Sequence, residues 1–259
     1  MSSVSIDADA AGIATITINR PHKRNACDLQ TWSELAEAFV EAAVSKHVRA
    51  VILTGGGGHF CAGNDISATA AMSADPDFMA QRAATVERCF RNLRALRVPA
   101  IAAIQGACVG GGCTLASYCD FRVADTTARI GITVASQSLG YPTAHLVRLI
   151  STIGLAAARR WIYGAGLFDV QSAARDGFID CVTQGAAMDE ALRMAQPMLD
   201  KAPLSIAVSR AQFDAIANQE LAMSLDEIDM LMNKAGASKD REEAIAAFLE
   251  KRKPRFSGY

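Results

Sequence analysis

Apolar and polar positions alternate near the start of the chain. In IATITINR, Ile13, Thr15 and Thr17 interleave with Ala14, Ile16 and Ile18, and VSI precedes them across the turn-rich DADAAG. That period of two predicts a β-hairpin. The period then changes. Leu29, Trp32, Leu35, Ala36, Phe39, Val40 and Ala43 recur at helical spacing behind Asp28, which predicts a helix capped by that aspartate. The apolar run AVILTG predicts a buried strand. SADPDFMAQRAATVERCFRNLRALRVP, from Ser73, predicts a loop and a helix ended by Pro99. AIAAIQG predicts a strand, GGGCTLASYC a helix that opens on glycines, and FRVAD and ARIGI two short strands.

From about Tyr141 onward helical spacing dominates. IDCVTQG is the one strand-like segment there, Asp169 is the expected cap of VQSAARDGF, and three amphipathic helices are expected between Ala202 and Lys253. No long linker, low-complexity tract or short repeat stands out. A looser repetition does: strand, glycine turn and helix follow one another around Leu53 and again around Ile104. Strands alternating with helices predict an α/β core. The 259 residues suffice for one large domain, or for a domain with a helical appendage.

Composition narrows the classes. A net charge of −1 gives no reason to expect a nucleic-acid or membrane partner. No apolar run reaches the roughly 18 residues of a membrane span. The N-terminal MSSVSID lacks the basic start and apolar core of a signal peptide, so the expected location is the cytoplasm. Seven cysteines, an odd number without a Cys-x-x-Cys pair, suggest buried thiols rather than disulfides or a zinc site. The four histidines show no ligand spacing, and no metal is expected.

Two glycine turns carry the chemistry. HFCAGND follows Gly55 to Gly58, and VGGGCT opens a helix after the Ile104 strand. A helix start leaves amide hydrogens unpaired in a positive potential, and glycine lets a ligand reach them. A P-loop would need a lysine after Gly111 or Gly112, and a dinucleotide fingerprint a third glycine in register; neither is present. Tight strand–helix packing would account for one such turn alone. Two of them, each at a strand end, could grip one oxygen between two amides, as an oxyanion hole does.

The segments NRPHKRNACD, RAVILTGGGGHFCAGNDI, AAIQGACVGGGCTLASYCDFRVAD and EEAIAAFLEKRKPRF resemble, in order and over nearly the whole chain, the crotonase or enoyl-CoA hydratase/isomerase superfamily. The resemblance implies a crotonase-like spiral of ββα units over residues 1–200 and a C-terminal helical segment, 201–259, that builds homotrimers, often paired into hexamers. It implies an acyl-CoA substrate and no separate cofactor. It assigns the thioester oxygen to the amides of Asn64 and Gly111. The Ala62 carbonyl would meet the adenine amine. His22, Lys23, Arg24 and Ile66 would line the CoA channel, with Phe248 and Lys251 contacting CoA from the tail. RPHKR and EKRKPR supply the local positive charge that CoA phosphates need. A third basic stripe, Arg88, Arg91, Arg94 and Arg97, is expected to be an exposed face.

The same resemblance exposes a gap. Hydratases of the family usually carry two glutamates, and the matching positions here are Thr114 and Val134, neither of which can serve as a carboxylate base. Asp65, Glu87 and Tyr141 are the candidates left. Asp65 follows the first oxyanion residue but could simply cap the next helix. Glu87 falls where the chlorobenzoyl-CoA dehalogenase branch has a catalytic-site histidine, but could pair with Arg91. Ser136, Gln137, Ser138, Tyr141 and His145 should border the acyl pocket. His145 and His59 read more simply as structural groups, and Cys113 has no assigned base to make it a nucleophile. Double-bond isomerisation needs one base and tolerates the gap best. Thioester hydrolysis, dehalogenation, C–C cleavage and acyl-CoA binding without catalysis are the competing expectations.

Overall fold

The predicted hairpin forms from Val4–Ala8 (β1) and Ile13–Ile18 (β2), antiparallel, with Ile6 opposite Ile16. It is the edge of a six-stranded sheet in the computed structural model, which describes residues 2–70, 72 and 74–258; Ser73, where the predicted loop begins, lies outside them. Ala50–Gly55 (β3), Ala100–Ile104 (β4), Phe121–Asp125 (β6) and Cys181–Thr183 (β9) continue this sheet in parallel, in the order β1-β2-β3-β4-β6-β9. Ala107–Val109 (β5), Arg129–Gly131 (β7) and Phe168–Asp169 (β8) form a second sheet of three strands.

The period of two fixes both faces of the large sheet. Ile16, Val51, Leu53, Ala102 and Ile104 point into the main core, while Ile13, Ile52, Ile101 and Ala103 point the other way. A buried parallel strand needs cover on both sides. On the first side lie Leu29–Val44 (α1), Pro76–Ala95 (α3) and Gly111–Tyr118 (α4), each contributing buried residues to the main core. On the second, Ala187–Leu199 (α7) seals the sheet with Ala187, Ala191 and Ala195. Successive units share a plan: β4, β5 and α4 follow one another, then β6, β7 and the helix Thr143–Gly164 (α5). One strand of each pair joins the large sheet and the next joins the small one, the ββα repeat expected of the chain.

Asp28 caps α1 by accepting from the Thr31 amide at 2.8 Å, and Asp169 caps Val170–Arg175 (α6) through the Ser172 amide at 2.7 Å. Two details differ from expectation. Val40 and Ala43 are exposed, because the buried stripe of α1 instead runs through Ala38 and Ala42. Helix α3 stops at Ala95, four residues before Pro99, where the Leu96 amide closes the last turn on Leu93.

The three C-terminal helices are Pro203–Ala217 (α8), Leu221–Gly236 (α9) and Lys239–Leu249 (α10). They correct the expectation of an exposed basic face on α3 at Arg94 and Arg97, while Arg91 is exposed as expected. Arg94 bonds Asp214 at 3.0 Å and also pairs with Glu220, while Arg97 pairs with Glu227. Arg88 donates to Ser33 at 2.9 Å. From the other side, buried Arg210 reaches Asp120 at 2.9 Å and the Arg94 carbonyl at 2.9 Å. Arg94 and Arg97 therefore dock the helical segment onto the core. Among the described residues no helix is long and apolar enough to cross a membrane.

Candidate active site

The two glycine turns interlock. The Cys61 amide donates to Ala107 at 2.8 Å and the Val109 amide donates to Cys61 at 2.9 Å, so the first turn runs as a strand fragment beside β5. A Cβ on Gly112 would lie 2.1 Å from the Cys61 carbonyl oxygen. One on Gly63, already at φ +93°, would lie 2.7 Å from the Val109 carbonyl oxygen and 3.0 Å from the Gly111 nitrogen. Only glycine permits such contact between backbones. The glycines are thus required by packing, and that packing carries the first turn up against the start of α4.

What the turns present follows from their bonds. The Cys27 amide donates to the Gly63 carbonyl at 2.7 Å, and the Asp65 amide donates to the Cys27 carbonyl at 2.9 Å. In such a parallel bridge the middle residue, Asn64, turns its own N–H away from the partner. Gly111 is the first residue of α4, where an amide has no intrahelical acceptor. Among the described residues, neither the Asn64 nor the Gly111 N–H donates a hydrogen bond. Asn64 is exposed and Gly111 half-buried. Two unpaired donors on adjoining turns, one backed by a helix dipole, suit an oxygen that gains negative charge. Ala62 spends its amide on Arg24 at 3.0 Å, while its carbonyl accepts nothing among the described residues.

An aromatic cluster stands behind the turns. The Trp32 indole N–H donates to Asn64 Oδ1 at 3.1 Å. Phe90 lies 5.8 Å from Trp32, 5.1 Å from Tyr118 and 4.5 Å from the His145 ring, measured between centroids. Tyr118 and His145 share a hydrogen bond of 3.1 Å between the hydroxyl and Nδ1. Burial holds His145 neutral, pushing its pKa down to about 4. Thr114, in the α4 turn, donates to the Gly110 carbonyl at 3.0 Å and shares a 2.8 Å bond with the Tyr141 hydroxyl. Burial pushes the Tyr141 phenol well above its usual range, so it is a neutral hydrogen-bonding group and not a phenolate base.

The two carboxylates differ. Asp65 is buried and fully engaged. It accepts from the Ser67 hydroxyl at 2.6 Å and the Ala68 amide at 3.2 Å, and it pairs with Arg20 at 3.2 Å. The Ser67 bond, with Ala68 and Arg20 behind it, outweighs desolvation and holds the acid below the usual carboxylate range, the state of a cap for Ile66–Ala70 (α2). Glu87 is exposed on α3, one turn before Phe90, and pairs with neither Arg91 nor any other cation among the described residues. Val134 heads a short 3-10 turn, Val134–Gln137, and packs against the core. Ser136, Gln137 and Ser138 are exposed around that turn. Cys113 is fully buried, and His59 accepts from the Ala107 amide at 3.1 Å.

His22, Lys23, Arg24, Ile66, Phe248 and Lys251 are all exposed. Lys23 reaches Ser67 at 3.0 Å, which brings RPHKR beside the first turn. Phe248 and Lys251 stand at the far end of α10. Sequence reading missed Arg20 and Trp32. Arg20 joins Asp28 at 3.0 Å to Asp65 at 3.2 Å, stapling α1 to the first turn. Its position beside Pro21 in the quoted motif was the available signal. Trp32 fell within the apolar stripe, and its N–H was the only cue.

This geometry can be set beside known proteins. The profile of the enoyl-CoA hydratase/isomerase family matches residues 8–259. The mitochondrial enoyl-CoA hydratase domain-containing protein 2 of Bos taurus is 34% identical over 256 residues, covering 95% of this chain and 85% of that one. The crotonyl-CoA hydratase of Syntrophomonas wolfei is 31% identical over 252 residues, 94% of each chain. The crystal structure of an enoyl-CoA hydratase/carnithine racemase from Magnetospirillum magneticum superimposes with a TM-score of 0.90 at 30% identity, covering 100% of this chain and 97% of that one. With fold, interlocked glycine turns and relatives in agreement over nearly the full length, the chain belongs to the enoyl-CoA hydratase/isomerase, or crotonase, family.

Proposed function

We propose that the chain binds an acyl-CoA thioester and stabilises its enolate between the amides of Asn64 and Gly111. The observation that carries this reading is the pair of unpaired N–H groups on two turns locked together through Gly63 and Gly112. Stabilising negative charge on the thioester oxygen makes the α-carbon acidic. The exposed Lys23 and Arg24 cations and the open Ala62 carbonyl support CoA binding through His22, Lys23, Arg24, Ala62 and Ile66. Phe248 and Lys251, at the end of α10, would complete a CoA site in an assembly. Exposed Phe213, Met223 and Met230 on α8 and α9 support burial of this segment in a homotrimer or a pair of trimers.

The reaction is a proton transfer within the acyl group, a double-bond isomerisation, rather than water addition. Thr114 and Val134 hold the positions of the usual glutamates, and the Thr114 hydroxyl is already committed to Gly110 and Tyr141. Glu87, exposed and without a cation partner among the described residues, is the proposed proton carrier. A second reading, acyl-CoA binding with little catalysis, is favoured by the engagement of Asp65, which removes the other nearby carboxylate from service.

The test is turnover across a panel of acyl-CoAs with crotonyl-CoA and 3-enoyl-CoAs included. Slow or absent crotonyl-CoA hydration beside measurable double-bond migration is expected. Fast hydration would overturn the isomerase reading. Binding of acetyl-CoA by calorimetry without any turnover would favour the second. No binding of any acyl-CoA would sink both.

A further inference from the structure

We infer that Trp32 is a positioning residue for the proposed oxyanion hole, acting on both of its halves; the inference rests on the reading of Asn64 and Gly111 given above. Trp32 is 1% exposed, in the first turns of α1. As a core residue it need only fill volume, and a leucine or phenylalanine would do so without a polar atom. A buried indole N–H must instead be satisfied, and here it finds Asn64 Oδ1 at 3.1 Å. The other end of the ring faces the second turn: a Cβ built on Gly111 would stand 3.1 Å from Trp32 Cζ2 and 3.4 Å from Cη2. One rigid bicycle therefore spans from the residue that supplies one amide to the residue that supplies the other.

The strut is itself held. Asp28 caps α1 just before it, and Arg20 ties Asp28 to Asp65, next to Asn64. Phe90 packs beside the ring at 5.8 Å. Asn64 is exposed, so without the indole bond its side chain would turn to water and the short first turn would lose one of its fixed points. Two amides grip an oxygen well only when both lie at hydrogen-bond length, and a misplacement of about 1 Å can cost about a hundredfold in rate. The Gly111 contact sets an equally direct limit on the second donor, because the ring edge already lies against its backbone.

The experiment reads carbonyl polarisation directly, so it needs no knowledge of the true substrate. Acetyl-CoA labelled with 13C at the thioester carbonyl is bound to the full chain, and the C=O stretch is followed by isotope-edited infrared spectroscopy. Wild type is expected to lower the stretch relative to free acetyl-CoA. Trp32→Phe keeps the ring mass but removes the N–H, and the band is expected to move back towards its free position while acetyl-CoA affinity falls by no more than about tenfold. Asn64→Ala keeps the backbone amide and removes only the partner of the indole. It stands on an exposed position, so it tests the idea even if Trp32→Phe fails to fold. It should shift the band in the same direction, and the double variant should be no worse than either single one. An unshifted band in wild type overturns the oxyanion reading and this inference with it. A lowered band in wild type that persists unchanged in Asn64→Ala, or in folded Trp32→Phe, overturns the role of Trp32 alone.

Discussion

The hydroxyls of Thr114 and Tyr141 lie 2.8 Å apart, and Thr114 donates its one proton to the Gly110 carbonyl. Tyr141 must then be the donor between them, which ties the segment after the 3-10 turn to the glycine turn of α4. Both groups of the pair are uncharged, since burial holds the Tyr141 phenol well above its usual range. Thr114→Val keeps the shape and removes both bonds, leaving the Tyr141 hydroxyl without its partner. A loss of about 1–3 kcal/mol is expected in urea unfolding. Tyr141→Phe should cost about 1 kcal/mol, and the double variant should cost less than the sum of the single ones. Strict additivity would show that the bond is not formed in solution.

His145 sets an acid limit. Its pKa falls to about 4 because burial among Phe90, Tyr118 and Tyr141 disfavours the imidazolium. In the unfolded chain it titrates near 6.5. Between those values the unfolded state binds the proton and the folded state does not, so stability is lost as pH falls from about 6.5 towards 4. The full effect is on the order of 3 kcal/mol. The melting temperature of wild type should therefore drop between pH 7 and 5, and His145→Gln should flatten that part of the curve. An unchanged slope in the variant would place the acid sensitivity elsewhere.

How far the sequence could be read depended on which force did the work. Strand period, the caps Asp28 and Asp169, and the glycine turns are local signals, and each led to the right element. The arginine stripe of α3 failed because its meaning lies in Asp214, Glu220 and Glu227, more than a hundred residues away. Arg20 was hidden for a related reason: the two aspartates it joins meet only after α1 and the first turn have packed. Trp32 obeyed the apolar pattern, and no pattern of apolar positions reports where an indole N–H ends up. Thr114 was visible as a residue type, but its hydrogen bond to Tyr141, 27 residues further on, was not.

Close packing of the two turns predicts an uneven response to added methyl groups. Gly112→Ala would put a Cβ 2.1 Å from a backbone oxygen, which no side-chain rotation relieves. Gly63→Ala adds a positive-φ penalty to a 2.7 Å contact. Each should cost about 2 kcal/mol or more and weaken acetyl-CoA binding in whatever fraction folds. Gly58, at φ +85° but with nothing within 4 Å, should lose only about 1 kcal/mol on change to alanine. Gly140, in open space without that strain, should stay within about 0.5 kcal/mol of wild type. A Gly112→Ala variant as stable as Gly140→Ala would show that contact between the turns does not require glycine there.

Asp65 and Glu87 are predicted to separate stability from turnover. Asp65 has no spare capacity as a base, since Ser67, Ala68 and Arg20 all hold its charged form. Asp65→Asn can still cap α2, as asparagine caps nearly as well as aspartate, but it breaks the pairing with Arg20. It should cost about 1–3 kcal/mol and leave turnover of the best acyl-CoA in the panel within about threefold. Because these bonds lower the acid's pKa, the stability that Asp65 brings is present above about pH 4 and vanishes as pH falls below it, and the variant should lose that dependence. Glu87→Gln should do the reverse. Glu87 is exposed, so stability should change by about 0.5 kcal/mol or less, while loss of the proposed proton carrier should lower turnover by about a hundredfold or more. Full activity in Glu87→Gln would remove it from the mechanism, and a collapse of activity in folded Asp65→Asn would return the role to the buried acid.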